Sequence, residues 1–166
     1  MEDDIYRFAQ FLGVRRGGTL PPIRFFVPKP DFITHIAASY GGRLLYEIGA
    51  GVGHVSRALA DAGLNVSAID LFHRDEAQFS VIIADATTFQ YNHGSVILIC
   101  RPSHDEGFVE KAIDTALTCG VSEILYVGLR KNVAVDLGRF RRSFRSVLRD
   151  IGAAGENLYV RANQDG

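Results

Sequence analysis

The chain has 166 residues, of which 47% are hydrophobic and 22% charged, with a formal net charge of -1. That length is one domain's worth, enough to bury a substantial core without disulfides or metal, and the near-neutral balance excludes a general basic coat for nucleic acid and an acidic tail alike. Cys100 and Cys119 form no paired framework, which fits reduced thiols in the cytoplasm; the opening MEDDIYRFAQ is acidic where a secretory signal is basic, and no apolar run approaches the roughly 20 residues of a membrane span.

The first predicted element lies in DDIYRFAQFLG, where Ile5, Phe8 and Leu12 fall at helical spacing. The glycines and prolines of VRRGGTLPPIRFFVPKP then read as a loop. Asp31 stands as the N-cap of a second helix, DFITHIAASY, closed by Gly41-Gly42. From there short strands alternate with helical patterns. Strands are expected at Leu44 to Ile48, Val66 to Ile69, Val81 to Ala84, Val96 to Cys100 and Glu123 to Val127, with helices in GHVSRALADAG and DEGFVEKAIDTALTCG. This alternation, with strands apolar throughout, predicts an α/β fold: a mostly parallel sheet with helices on both faces. No repeat, linker or low-complexity block interrupts it. Residues 1–42 form an N-terminal helical and lid region, in which Phe25, Phe26 and the prolines would serve as lid, and residues 43–166 the core of one structural domain.

The stretch EIGAGVGHVSRALADAGLNVSAID ends a strand, breaks into alternating glycines, becomes a helix and finishes on an acid. Such a first βα turn is where open α/β sheets bind ligands, beyond the carboxyl ends of the strands. Gly49 permits a tight exit from the strand, Gly51 removes a Cβ so that backbone can approach a ligand, and Gly53 allows close packing of helix and strand. Asp70 ends the next strand, where an acid accepts hydrogen bonds from ribose hydroxyls. A nucleoside-containing cofactor is the leading expectation. The dinucleotide fingerprint G-x-G-x-x-G is not met, because His54 stands at its third glycine. Carboxylates around the loop would also repel a pyrophosphate, whereas they suit a cationic ligand.

EIGAGVG, with Glu47 two residues before the first glycine, resembles the first motif of class I S-adenosylmethionine-dependent methyltransferases, E/D-x-G-x-G-x-G. The resemblance runs from about Arg43 to Val127 and implies a single-domain Rossmann-like fold. It also implies that Asp70 holds the ribose hydroxyls, that Glu47 lies near the cofactor's amino-acid portion, and that Asp85, in VIIADATT, reads the adenine amino group. Ala50, Leu71 and Ala86 beside these landmarks, and Cys100 at the end of the fourth strand, complete the expected cofactor-contacting set. Cys100 reads as a small hydrophobe beside the pocket rather than a nucleophile.

On the substrate side, VILICRPSHDEG follows the fourth strand and lacks the N/D-P-P-Y/F/W motif of amino-methylating enzymes. Its R-P faintly resembles the I-R-P-P of a small uncharacterised archaeal methyltransferase-like family, which names no substrate. Arg101, Ser103 and His104 are the candidates for catalysis or substrate contact: Arg101 to clamp a carboxylate or phosphate, His104 as acid or base. Arg101 could equally bridge to an acid, Ser103 cap a helix starting near Asp105, and His104 be a polar surface residue. His35, His54, His73 and His93 show no metal-ligand spacing, so no metal is expected.

The segment GRFRRSFRSVLRDIG reads as a helix with an apolar stripe of Phe140, Phe144, Val147, Leu148 and Ile151 and an arginine row of Arg141, Arg145 and Arg149. Arg130, Lys131, Arg139 and Arg142 widen this basic face, which is either a solvated surface or a track for phosphate or nucleic acid. With only ENLYVRA left as a strand, the fold is expected to be reduced at its C-terminus, the exposed edge inviting a second subunit. Three functions remain open at this level. They are methyl transfer from S-adenosylmethionine to a small molecule or RNA, a non-catalytic cofactor- or partner-binding module, and a less favoured NAD-dependent oxidoreductase.

Overall fold

The computed structural model describes residues 28–75, 77–102, 107–128, 137–145 and 157–164. The predicted first helix, most of the lid region, Ser103 and His104 therefore lie outside the described residues. In chain order the elements are α1 (Pro30–Tyr40), β1 (Leu44–Ile48), α2 (His54–Asp61), β2 (Asn65–Asp70), β3 (Val81–Ile83), β4 (Val96–Cys100), α3 (Phe108–Thr118), β5 (Glu123–Gly128), β6 (Arg141–Arg145) and β7 (Asn157–Ala162). They form one seven-stranded sheet in the order β3-β2-β1-β4-β5-β7-β6. Strands β1 to β5 run parallel, and β7 is antiparallel to both β5 and β6.

The period of two along β4 shows why its sequence is apolar throughout. Ile97 and Ile99 pack with Val109, Ala112, Ile113 and Ala116 of α3 on one face. Val96 and Leu98 pack with Phe32 and Ile36 of α1 and Val55 and Leu59 of α2 on the other. A strand covered on both sides has no solvent face to mark with polar residues. Helices thus lie on both faces of a mostly parallel sheet, as the alternating pattern predicts.

Three local expectations change. Helix α1 begins at Pro30 with Lys29 as N-cap, placing Asp31 inside the first turn. Proline at N1 has no amide hydrogen to satisfy, and Asp31 there faces the positive end of the helix dipole. Helix α3 begins at Phe108 with Gly107 as N-cap in the left-handed conformation, later than the start expected near Asp105. The largest change is in the arginine-rich segment: residues 141–145 are strand β6, paired with β7 through Arg141↔Val160 and Arg145↔Asn157. Non-local pairing overrides a helical period here, because Phe140 and Phe144, spaced by four, fit either period. Arg141 and Arg145 therefore lie on a strand and not in a helical row, Arg149 lying outside the described residues, and β6 pairs antiparallel with β7 where ENLYVRA is expected as the one strand left.

Candidate functional site

The turn after β1 carries the site. Gly49, Gly51 and Gly53 have φ of 67°, 58° and 77°, left-handed values that side chains disfavour. The turn is tied to its neighbours by backbone: the Ala50 amide donates to the Ile69 carbonyl at 3.0 Å, and the Gln78 amide to the Val52 carbonyl at 2.7 Å. A Cβ on Gly53 would stand 2.7 Å from Cβ of Phe79 and 3.4 Å from Cγ2 of Val81, so its close approach is to the segment entering β3. A Cβ on Gly49 or Gly51 would meet no atom within 4 Å. Those two glycines border open space.

That space is a cleft of about 290 Å³ beyond the carboxyl ends of β1, β2 and β4, near the lower limit of pockets that hold drug-sized ligands. Gly49, Gly51, Asp70, Leu71, Ala86 and Arg101 of the predicted residues line it. Asp70 holds two loops at once: Oδ2 accepts the Gly51 amide at 2.7 Å and Oδ1 the Phe72 amide at 2.9 Å. With 9% residual exposure, its carboxylate sits at the boundary between protein and cleft.

Glu47 is placed differently. Buried at 3% exposure, its Oε2 accepts the Ser56 amide at 2.9 Å and the Ser56 hydroxyl at 2.5 Å. Ser56 lies in the first turn of α2, whose N-cap, Gly53, has no side chain to offer. Glu47 thus satisfies an orphan amide from the neighbouring strand and sets negative charge at the helix N-terminus. Burial nevertheless pushes its carboxyl up to about 7; the Ser56 hydrogen bonds oppose that shift and the charge of Asp70 adds to it.

Asp85 is exposed, and its Oδ1 accepts the Thr87 amide at 2.8 Å and the Thr87 hydroxyl at 2.7 Å, which lowers its pKa. It shapes the turn that presents Ala84 and Ala86 to the cleft. The same turn is held from behind, where the Tyr91 hydroxyl donates to the Ala86 carbonyl at 2.8 Å and the Thr115 hydroxyl to that of Thr87 at 2.6 Å. Neither Asp85 nor Glu47, Ala50 or Gly53 lines the cleft. Cys100 packs against the cluster shared by α1 and α2, while its neighbour Ile99 lines the cleft. Arg101 follows with φ of 43°, the one non-glycine residue with positive φ among the described residues, and its amide donates to the Val127 carbonyl at 3.0 Å.

Sequence reasoning missed Phe72, Arg74 and Phe108. Phe72 and Arg74 follow Asp70 by two and four residues, so proximity to a strand's carboxyl end was a usable signal. Phe108 opens α3, and its position depended on where that helix starts. Among the described residues no group of three or more His, Cys, Asp or Glu is arranged to hold a metal, and no helix is long and apolar enough to cross a membrane.

No protein-family profile and no curated protein matches the chain. Solved structures do. The N-methyltransferase NodS from Bradyrhizobium japonicum WM9 has a TM-score of 0.59 at 12% identity, over 98% of this chain and 99% of that one. Magnesium protoporphyrin IX methyltransferase (ChlM) from Synechocystis PCC 6803, solved with bound SAM, has a TM-score of 0.57 at 12% identity, over 80% of this chain and 77% of that one. The 23S rRNA methyltransferase ErmE has a TM-score of 0.56 at 15% identity, over 86% of this chain and 73% of that one. The similarity of R-P after β4 to an archaeal family finds no support in these comparisons. These similarities are of fold: the chain has the fold of the class I S-adenosylmethionine-dependent methyltransferases.

Proposed function

We propose that this protein binds S-adenosylmethionine in the β1–β2–β4 cleft and directs its methyl group to an acceptor, a small molecule or RNA, held at the cleft mouth. The observation that carries the reading is Asp70, a carboxylate at the end of β2 that lines the cleft beside two glycines with open space where a Cβ would stand. A strand-end acid is suited to a ribose diol. The apolar Ile48, Ile69, Ala86 and Ile99 supply a floor for a flat base.

When bound, the cofactor supplies an electrophilic methyl carbon on a sulfonium, which leaves as a neutral thioether. The protein's task is then alignment. Reacting atoms held near van der Waals contact gain most of their rate from lost translational freedom. Asp70 and the glycine turn would fix one partner, and Arg74 and Arg101, at the cleft, would orient an anionic group on the other. Among the described residues lining the cleft, Asp70 is the one carboxylate, and its oxygens already accept two amides. His104, outside the described residues, is kept as the proposed general base, unless the acceptor is a nucleophile that needs none. That Asp70 is the one carboxylate at the cleft among the described residues favours the second reading, a cofactor-binding module without catalysis.

Calorimetric titration with S-adenosylmethionine, S-adenosylhomocysteine and NAD tests the proposal. Binding of the first two and not the third supports it; binding of none rejects the cofactor assignment. Bound cofactor without turnover on RNA or small acids would support the module.

A further inference from the structure

Arg139, Arg141 and Arg161 line a groove at the end of the sheet opposite the cleft. Arg139 belongs to the short 3-10 turn Leu137–Arg139, Arg141 begins β6 and Arg161 lies near the end of β7. The register Glu123↔Ala162 puts the end of β7 beside the start of β5, whereas the cleft lies beyond the carboxyl ends of the parallel strands. Pairing of Arg141 with Val160 brings the three together from positions 22 residues apart at the extremes. The groove has a volume of about 800 Å³, against about 290 Å³ for the cleft, and among the described residues no carboxylate lines it.

We propose that this groove binds the phosphodiester backbone of a nucleic acid. Charge is polarised along the chain in the required sense. Residues 129–166 hold eight Lys and Arg against four Asp and Glu, a formal +4, while residues 1–128 hold ten against fifteen, a formal −5. An overall charge of -1 thus conceals a basic C-terminal hairpin on an acidic body. Two of the cations, Arg139 and Arg141, are exposed, and the groove is large enough to take more than one phosphate of a chain. Its floor is rigid: the Asn163 side chain donates to the carbonyls of Leu117 at 3.2 Å and Val121 at 2.9 Å, and its amide to that of Ser122 at 2.8 Å. Phe140, half-buried in the wall and edge-on to Tyr126 at 6.5 Å between ring centroids, adds an aromatic surface of the kind that bases and sugars pack on. Lying away from the cleft, the groove holds the polymer and does not touch a reacting atom. The proposal goes beyond methyl transfer and does not depend on it.

Fluorescence anisotropy with short labelled single strands and hairpins of RNA and of DNA, from about 50 to about 200 mM salt, is the test. Phosphatidylserine vesicles form a separate arm. The wild-type chain is expected to bind nucleic acid with salt-dependent affinity, the RNA and DNA arms showing which polymer it prefers. The triple variant Arg139→Glu, Arg141→Glu, Arg161→Glu should bind at least about ten-fold more weakly, and its log–log salt slope for single strands should shrink by about 2, or roughly 0.7 per lost phosphate contact. The corresponding triple lysine variant should retain most of the affinity, since lysine also serves as a point charge for phosphate. Thermal melting controls for folding, and the exposed single variant Arg139→Glu, expected to give a smaller drop in the same direction, guards against a triple variant that does not fold. Titration with S-adenosylhomocysteine separates the two sites, because the folded glutamate triple should keep whatever cofactor affinity the wild type has. No binding of any nucleic acid by the wild type, equal binding by the folded glutamate triple, or binding to vesicles but not to nucleic acid overturns the proposal.

Discussion

Two sides of the β1 turn use a carboxylate in opposite ways. On the α2 side, Glu47 is buried and its oxygen is occupied by the amide and hydroxyl of Ser56. On the cleft side, Asp70 also accepts two backbone amides, from Gly51 and Phe72, yet remains at the surface of a cavity. The difference is one of burial: a carboxylate wholly inside must be satisfied by the protein, whereas one at a cleft wall keeps lone pairs that a ligand can use. The two acids thus divide into a helix anchor and a cleft-lining group.

The contrast is broken most strongly by changing the turn that separates the two sides. Gly53→Val puts a branched side chain into a left-handed position 2.7 Å from Phe79 and is expected to cost roughly 3 kcal/mol or more, read by urea unfolding. Gly51→Ala has open space and should lose only about 1 kcal/mol of stability to backbone strain. In that variant binding of S-adenosylhomocysteine is expected to weaken well beyond the loss of stability. Equal effects of the two variants on stability would mean that the turn does not distinguish its sides.

Asp70→Ala comes next. Loss of its hydrogen bonds to the ligand and to the two loop amides should weaken cofactor binding by about 1.5 to 3 kcal/mol in calorimetry. Unchanged affinity would remove Asp70 from the site.

Glu47 sharpens the comparison through pH. Its carboxyl titrates at about 7 in the folded chain against 4.5 when unperturbed, so between those values the native state holds a proton that the unfolded state has released. Stability should therefore fall as pH rises from 4.5 to about 7 and level off above. Glu47→Gln cannot ionise and should flatten this dependence in melting curves from acid to neutral pH, gaining most at the alkaline end. A slope unchanged by the substitution would assign it to other groups. The smallest effect is expected at Cys100, which packs toward α1 and α2: Cys100→Ala should leave affinity for S-adenosylhomocysteine within about two-fold. A larger change would place the residue functionally at the cleft after all.

Much of this was legible in the sequence because it is local. Strands β1 and β4 have the predicted limits, and β2, β3 and β5 differ by a residue at one or both ends. Short apolar runs bounded by glycines or polar turns specify extended backbone largely by themselves. The glycine turn and the strand-end acid were legible for the same reason, since left-handed φ at three alternating positions is a demand that glycine meets without strain.

Other features depended on partners distant in sequence. That Glu47 of β1 anchors Ser56 of α2 and that Cys100 lies against the α1–α2 cluster follow from which side chains the packed elements bring together. The segment at Arg141–Arg145 is the clearest case, its phenylalanine and arginine spacing being compatible with a helix until β7 provides a row of backbone partners. The sequence by itself determined the α/β rhythm, the glycine turn and Asp70 at the strand end, because steric limits on φ and the period of apolar residues act within a few positions. That Arg141 and Arg161 belong to a hairpin and, with Arg139, lie at the far end of the sheet was settled by the tertiary structure alone. Strand pairing is a bargain between residues far apart in the chain, and no local preference states its outcome.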